Sequence, residues 1–192
     1  MFNWTEIASC FMVLFAVIDI IGNIPIILDI KQKTGNIQPI TTTLVSLGLM
    51  VLFLLGGQKF LGIFGVDVSS FAVAGALVLF FIALEMLLGI KIMKQKPGGE
   101  KAASIVPLAF PMIAGAGTFS TLISLRAEYE LQNILVGVVL NMPIIFLVLK
   151  STSVIERLLG PAGILILEKV FGIILLAIAV KLFTSNIQSL LQ

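Results

Sequence analysis

Two helix-breaking stretches, one in each half of the chain, decide the fold. The first reads Asp19-Ile20-Ile21-Gly22-Asn23-Ile24-Pro25, and the second reads Pro107-Leu108-Ala109-Phe110-Pro111-Met112-Ile113-Ala114-Gly115-Ala116-Gly117-Thr118. Each stretch interrupts an otherwise apolar segment. At bilayer depth a carboxylate costs about 2.5–3.5 kcal/mol to insert, and freed backbone groups cost several kcal/mol more unless protein or water satisfies them. Such costs at matching positions of two halves are typical of a membrane transporter with its site at the breaks.

The composition is that of a membrane protein. Hydrophobic residues make up 59% of the 192 residues, charged residues only 11%, and the mean hydropathy is +1.17. The chain has no histidine and a single cysteine, Cys10, which excludes histidine catalysis, zinc clusters and an internal disulfide. Its net charge of +2 is too small for a nucleic-acid surface. We therefore expect a lipid bilayer as partner, no nucleic acid, no metal and no enzymatic activity.

The apolar segments predict an all-α fold with six transmembrane helices. Spanning the hydrocarbon takes about 20 mainly apolar residues. The six candidate spans are residues 5–30, 39–57, 68–90, 102–125, 132–149 and 164–187. Together they form a single transmembrane domain over residues 1–192, which we divide into a first half (1–93), a loop (94–101) and a second half (102–192).

Basic residues set the expected orientation of these spans. Nine of the twelve lie in the connections after the first, third and fifth spans, and three lie on the opposite side. Because cytoplasmic loops are enriched in Lys and Arg, both termini are predicted outside and the loop 91–101 inside. Three spans is an odd number, so a repeated three-span unit has to be inverted relative to the first. A re-entrant hairpin at either break would change this parity.

The residues after each break predict two half-helices that begin near the midplane. Asn23 is a preferred N-cap residue, and Pro25 fits the first helical turn, where a missing N–H does no harm. Thr118 is expected to cap the second half-helix in the same way. The two N-termini would then present N–H groups and positive dipole ends to one cavity, which suits a carboxylate.

Asp19 would add a negative charge beside these N-termini, and it is the only carboxylate that we place at depth. A cavity of this kind suits a small zwitterion, although it would equally hold a cation with its counter-ion. Gly22, Gly115 and Gly117 would let a solute approach the bare backbone. Alternatively, the same glycines allow close helix packing.

Two further polar residues are candidates within the apolar spans. Asn141 either lines the cavity or bonds a neighbouring helix, and the sequence favours neither interpretation. Glu85 is a second candidate for ion coupling, together with Asp19. It lies close to the end of its span, however, where a side chain that reaches the interface or pairs with Lys91 fits better.

Four stretches of the chain resemble those of a known family of membrane proteins. The stretch from Phe15 to Pro25 resembles the Asp-Pro-x-Gly-Asn-x-Pro signature of the MarC family, and residues 106–118 look like that family's second signature. Residues 82–86 and 172–180 also match. The chain departs from the family pattern at three positions. The family usually has Pro where Ile20 and Ala116 stand, and Gln where Lys181 stands.

The resemblance implies a six-helix protein of the bacterial inner membrane, in a family that includes transporters of small neutral amino acids such as glycine and alanine. The leading hypothesis is a secondary transporter of a small neutral solute that works by alternating access between the two halves, with both termini periplasmic. Proton or sodium coupling through Asp19 or Glu85 is left open, and no bound cofactor is expected. The alternatives are a non-transporting assembly partner of other membrane proteins and an exporter of another small metabolite.

Overall fold

The computed structural model describes residues 2–90 and 104–190. These residues form helices joined by short turns, and no strand occurs among them, so the predicted all-helical class is confirmed. The loop 91–101 lies outside the described residues. The division of the chain into 1–93, 94–101 and 102–192 therefore stays a prediction.

The first predicted span contains two helices. α1 (Trp4–Ile18) begins after Asn3, whose side chain accepts hydrogen bonds from two backbone N–H groups of the first turn. It ends where Asp19 adopts a left-handed conformation, with φ 44° and ψ 49°. After a turn, α2 (Ile24–Thr34) begins with Pro25 in its first turn, as the sequence predicts.

Two long helices complete the first described part. α3 (Pro39–Ile63) has a non-helical backbone at Gly57, and α4 (Val68–Leu88) ends at a glycine with positive φ. Both are long and apolar enough to cross a membrane. The second and third predicted spans are thus confirmed as apolar helices, and α3 extends about one turn and a half beyond the predicted end.

A proline segment, Ser104–Ile113, opens the second described part. It is an irregular helix because the residues before its two prolines are extended, with φ of −122° and −135°. The segment meets α5 (Ala116–Glu128) at a bend of 42°. α6 (Leu131–Leu190) follows over 60 residues and is interrupted at Gly160, where φ is 63°.

The first arm of α6, residues 131–159, runs beside α1 and α2 in the same direction. At its start, the Asn3 backbone N–H donates to Asn133 Oδ1 at 3.2 Å. Near its end, Lys31 Nζ lies 2.7 Å from Glu156 Oε2. The first arm therefore crosses from the N-terminal end of α1 to the C-terminal end of α2.

The second arm of α6, residues 161–190, runs back along α4. Lys169 Nζ donates to the carbonyl oxygens of Met86 and Leu87, at 2.6 and 3.0 Å. These carbonyls belong to the last turn of α4, and the arm passes the middle of α4 further along its length. The chain has to reverse between the two arms, and the positive φ of Gly160 provides the turn.

The number of membrane spans is only partly settled by these helices. By length and apolar character, three of the described helices are long enough to cross a membrane, and four if the proline segment and α5 count as one bent span. α1 is apolar but has only 15 residues. The two arms of α6, separated at Gly160, cover the predicted fifth and sixth spans. The count of six and the inverted repeat therefore stay predictions.

Four phenylalanines pack where α3, α4, the proline segment and α5 meet. The rings of Phe53 and Phe119 lie 4.8 Å apart in an edge-to-face arrangement. Phe71 lies 5.8 Å from Phe53 and 5.4 Å from Phe110. This aromatic cluster packs both sides of the bend against α3 and α4.

Candidate functional site

A cavity of about 250 Å³ lies where the two helix-breaking stretches meet. Its walls come from α1, α4, the proline segment, α5 and the second arm of α6. The lining residues include Asp19, Asn23, Gly115, Ala116, Gly117 and Thr118. The structure therefore brings five of the eight predicted site residues, from opposite halves of the chain, around one space.

Asp19 forms the corner of the first break. Its backbone N–H donates to Phe15 O, which closes α1, and its Oδ1 accepts from the Gly22 N–H at 3.2 Å. The side chain is exposed to the cavity rather than buried in the protein. A Cβ on Gly22 would collide with the Asp19 carboxylate. Gly22 therefore makes room for the carboxylate in this turn and lies behind it, not on the cavity wall.

The predicted capping roles of Asn23 and Thr118 are wrong. Asn23 Nδ2 donates to Ile18 O at 3.0 Å, and Thr118 Oγ1 donates to Ile113 O at 2.7 Å. Each side chain thus reaches back five residues to a carbonyl at the end of the preceding helix. The reason is that the breaks free these carbonyls, and a buried carbonyl without a donor is costly.

The helices that follow the breaks consequently begin without a side-chain cap. Neither α2 nor α5 has a capping hydrogen bond from its N-cap side chain, and the N-cap position of α5 is taken by Gly115. The first N–H groups of a helix have no partner within the helix. At the α5 terminus, which lines the cavity, they offer hydrogen bonds and a positive dipole end to an anionic group.

The two glycines of the second break, Gly115 and Gly117, have different structural roles. A Cβ on Gly115 would overlap the backbone carbonyl oxygen of Pro111, so this glycine permits the close approach of the chain to itself. A Cβ on Gly117 would lie 3.5 Å from Val17 Cγ1, which is an ordinary contact. Gly115 is therefore needed by the backbone, whereas Gly117 leaves open space at the cavity.

Pro25 and Asn141 do not line the cavity. Pro25 is buried in the first turn of α2. Asn141 is buried too, and its Nδ2 donates to Phe11 O at 3.3 Å and to Gly137 O at 2.9 Å. Beside it, a Cβ on Gly137 would lie only 2.8 Å from Cys10 Cβ. Of the two roles considered for Asn141, the structure supports the bond to a neighbouring helix, here α1.

Glu85 also lies away from the cavity, in a buried group of charges. Lys33 Nζ lies 3.1 Å from Glu85 Oε2 and 2.7 Å from Asp29 Oδ2. Asp29 is 4% exposed and Glu85 is 5% exposed. Two carboxylates other than Asp19 are therefore buried within the protein, whereas the prediction that Asp19 is the only carboxylate deep in the bilayer stays a prediction. The pairing with Lys91 considered for Glu85 involves a residue outside the described part of the chain.

Asp29, Lys33, Glu85 and Lys169 form what we call the end cluster. It joins α2, α4 and the second arm of α6 at one end of the molecule. Asp29 and Lys33 are four residues apart on α2, a spacing that pairs opposite charges on a helix. That spacing was the only signal in the sequence, because the partners on α4 and α6 are distant along the chain.

Lys33→Met is expected to destabilise the protein strongly, because it removes the ammonium group that bridges the buried carboxylates of Asp29 and Glu85. Breaking a buried ion pair from one side costs about 3–5 kcal/mol. Thermal melting in detergent measures the loss. Lys31→Met is the matched control on the same helix, since its partner Glu156 has a side chain that is 36% exposed. Equal melting of the two variants would contradict this role of Lys33.

Long apolar helices around a cavity with a few polar groups are typical of a helical integral membrane protein that crosses the bilayer several times. A model described as MarC family integral membrane protein matches residues 4–191. The chain belongs to the MarC family, as its two signature-like stretches predict.

The relatives that the chain resembles cover nearly its whole length. It is 29% identical over 191 residues to "UPF0056 inner membrane protein YhgN" of Escherichia coli (strain K12), with 95% of this chain and 96% of the relative covered. It is 28% identical over 191 residues to "UPF0056 membrane protein BU449" of Buchnera aphidicola subsp. Acyrthosiphon pisum, with 96% and 97% covered. No solved structure matches the chain.

Proposed function

We propose that the protein is a transporter of a small neutral solute, a small neutral amino acid such as glycine or alanine, rather than an enzyme. One observation carries the proposal: the two breaks, one from each half, meet around a single cavity lined by Asp19, Asn23 and Gly115–Thr118. The cavity is the substrate site, and alternating access between the halves exposes it to each side in turn.

The chemistry of the cavity suits a small zwitterion. Asp19 supplies a carboxylate for the solute's ammonium group, and the uncapped start of α5 supplies N–H donors for its carboxylate. A volume of about 250 Å³ is below the range of roughly 300–1,000 Å³ typical of pockets for drug-sized ligands. A small amino acid is therefore a better fit than a larger metabolite.

Corresponding features in the two halves support the proposed inverted repeat. Asn23 and Thr118 make the same hydrogen bond to a carbonyl five residues earlier. Gly65, after α3, and Gly160, between the arms of α6, both have positive φ, 67° and 63°. Gly160 follows Thr118 by the same interval as Gly65 follows Asn23. This spacing supports six spans, in which the two arms of α6 correspond to α3 and α4.

The proposed location is the bacterial inner membrane with both termini periplasmic. The name of the Escherichia coli relative, an inner membrane protein, supports the location, and the distribution of basic residues supports the orientation. Ion coupling, if the solute moves with protons or sodium, is assigned to Asp19 in the cavity. Glu85 would take part only through the end cluster, since it does not line the cavity. No bound cofactor is needed in this scheme.

Labelling with a membrane-impermeant thiol reagent on intact cells should modify Trp4→Cys and spare Leu158→Cys, both in a Cys10→Ala background. The two side chains are 80% and 81% exposed and lie at opposite ends of the molecule. Equal exposure makes them a matched pair, so only the side of the membrane should differ. Modification of Leu158→Cys alone would place the termini in the cytoplasm and reject the proposed orientation.

Transport of labelled glycine and alanine into vesicles reconstituted with the purified protein tests the function itself. We expect the rate of uptake to saturate with solute concentration. Unlabelled solute inside the vesicles should increase the uptake of labelled solute by exchange. Imposed proton and sodium gradients in the same vesicles identify the coupling ion. Failure of both amino acids, with correctly inserted protein, would favour the alternatives of another exported metabolite or a non-transporting assembly partner.

A further inference from the structure

A second, open groove lies between α1 and α5, at the end of the molecule opposite the end cluster. It has a volume of about 380 Å³. Val13 of α1 forms one side, and a line of polar residues on α5 forms the other. That line comprises Ser120, Thr121, Ser124 and Glu128, and Tyr129 lies at its outer end. Beyond Tyr129 the chain reaches the start of α1, where Glu6 accepts hydrogen bonds from the Glu130 backbone N–H and from Asn133 Nδ2.

The groove leads toward the cavity. Gly117 lies one helical turn before Ser120 and Thr121 on the same face of α5, and it lines the cavity. Val17 lies one turn after Val13 on α1 and also lines the cavity. The inner end of the groove therefore lies beside the cavity wall at Val17 and Gly117. A Cβ on Gly117 would lie 3.5 Å from Val17 Cγ1, so the glycine leaves room for about one methyl group at this wall.

The hydroxyl groups along the groove make no hydrogen bond to any residue that the structure describes. Some hydroxyls elsewhere bond their own helix: Thr34 and Thr184 donate to backbone carbonyls one turn earlier, at 2.8 and 2.9 Å. The hydroxyls of Thr43 and Ser46 have no partner among the described residues, but both are buried inside the protein. Ser120 and Ser124, in contrast, are exposed and face the groove. Unpaired hydroxyls are unfavourable in hydrocarbon, and water is the partner that satisfies them.

We propose that this groove is a water-filled entrance to the cavity, through which the small polar solute of the proposed function passes. Water satisfies the hydroxyls of α5, and the line of hydroxyl groups replaces hydration of the solute as it moves inward. The end cluster fastens α2, α4 and the second arm of α6 at the other end. The described conformation is then open toward the end that contains Glu128 and closed toward the end that contains Lys33.

Reaction rates with a charged methanethiosulfonate reagent test the entrance in lipid nanodiscs, where both faces are accessible and orientation does not matter. Ser120→Cys and Ser124→Cys are made in a Cys10→Ala background. Leu140→Cys is the matched control, because Leu140 is 46% exposed and its neighbour Asn141 bonds Phe11, close to the level of Val13. Total thiol is counted after denaturation in detergent.

We expect both serine positions to react at least about tenfold faster than Leu140→Cys, because the reactive thiolate forms only in water. Rates equal to that of Leu140→Cys would overturn the proposal that the groove is a water-filled entrance. In that case, disulfide-linked dimers of the serine variants on mild oxidation would assign this face of α5 to a contact between two copies of the chain. Added glycine or alanine reports separately on the proposed function. Fast labelling that these solutes do not slow would support the entrance and count against the proposed solute.

Discussion

Asp19→Asn is expected to lower transport by about ten- to a hundredfold, because hydrogen bonds to charged groups contribute about 1.5–3 kcal/mol and the amide has no charge for the solute's ammonium. The protein should still fold and insert. The amide keeps the Oδ1 that accepts from Gly22, and Asn tolerates the left-handed backbone that Asp19 adopts. Uptake into reconstituted vesicles and thermal melting in detergent measure the two effects separately.

Asp19→Ala provides the control for the turn. It removes the acceptor for the Gly22 N–H and places a residue that disfavours positive φ at the corner, so it should lose stability as well as transport. Normal transport by Asp19→Asn, with unchanged dependence on pH, would show that the carboxylate serves the turn alone. The assignment of solute binding and ion coupling to Asp19 would then be withdrawn.

Gly115→Ala is expected to yield little or no folded protein. The added methyl would overlap the carbonyl oxygen of Pro111, and this backbone atom can move only if the bend between the proline segment and α5 opens. Gly117→Ala is the matched control two residues away, because its methyl makes an ordinary contact with Val17. That variant should melt like the parent while its transport slows, since the methyl fills space at the cavity wall.

The stability of Gly22→Ala should lie between those of Gly115→Ala and Gly117→Ala. Its methyl meets a side chain rather than the backbone, so the Asp19 carboxylate can rotate away at modest cost, and the variant should lose transport much as Asp19→Asn does. Stabilisation by added glycine or alanine reads out binding directly, because a ligand raises the melting temperature by mass action. Equal losses of melting temperature in Gly115→Ala and Gly117→Ala would contradict the different roles of the two glycines.

The positions of the breaks could be predicted from the sequence because their causes are local. Glycine and proline interrupt a helix whatever surrounds them, and the cavity does lie where the two interrupted stretches meet. The partners of Asn23 and Thr118 could not be predicted. Capping is also a local rule, but here the freed carbonyls of Ile18 and Ile113 compete for the same side chains.

The end cluster was missed because it depends on tertiary structure. In the sequence, Asp29 is only a polar residue near the end of an apolar span. The packing of α4 against α2 brings Glu85 to Lys33, the lysine that also pairs with Asp29. The structure of the connection between the predicted fifth and sixth spans could not be predicted from the sequence either. Its residues favour helix, so the chain continues as helix on both sides of Gly160, and one glycine with positive φ replaces the expected loop.

The close approach of Gly137 to Cys10 has a mechanical consequence. With so little space between them, α1 and the first arm of α6 cannot slide past each other, and the hydrogen bonds of Asn133 and Asn141 fasten the pair at two further levels. These two elements come from different halves, so they should tilt as one rigid body that the halves share, and the movement between the halves falls to the other helices. Rocking that exposes the cavity would then be carried by α5 and the second arm, with hinges at Gly115 and Gly160, where the backbone already departs from helical geometry.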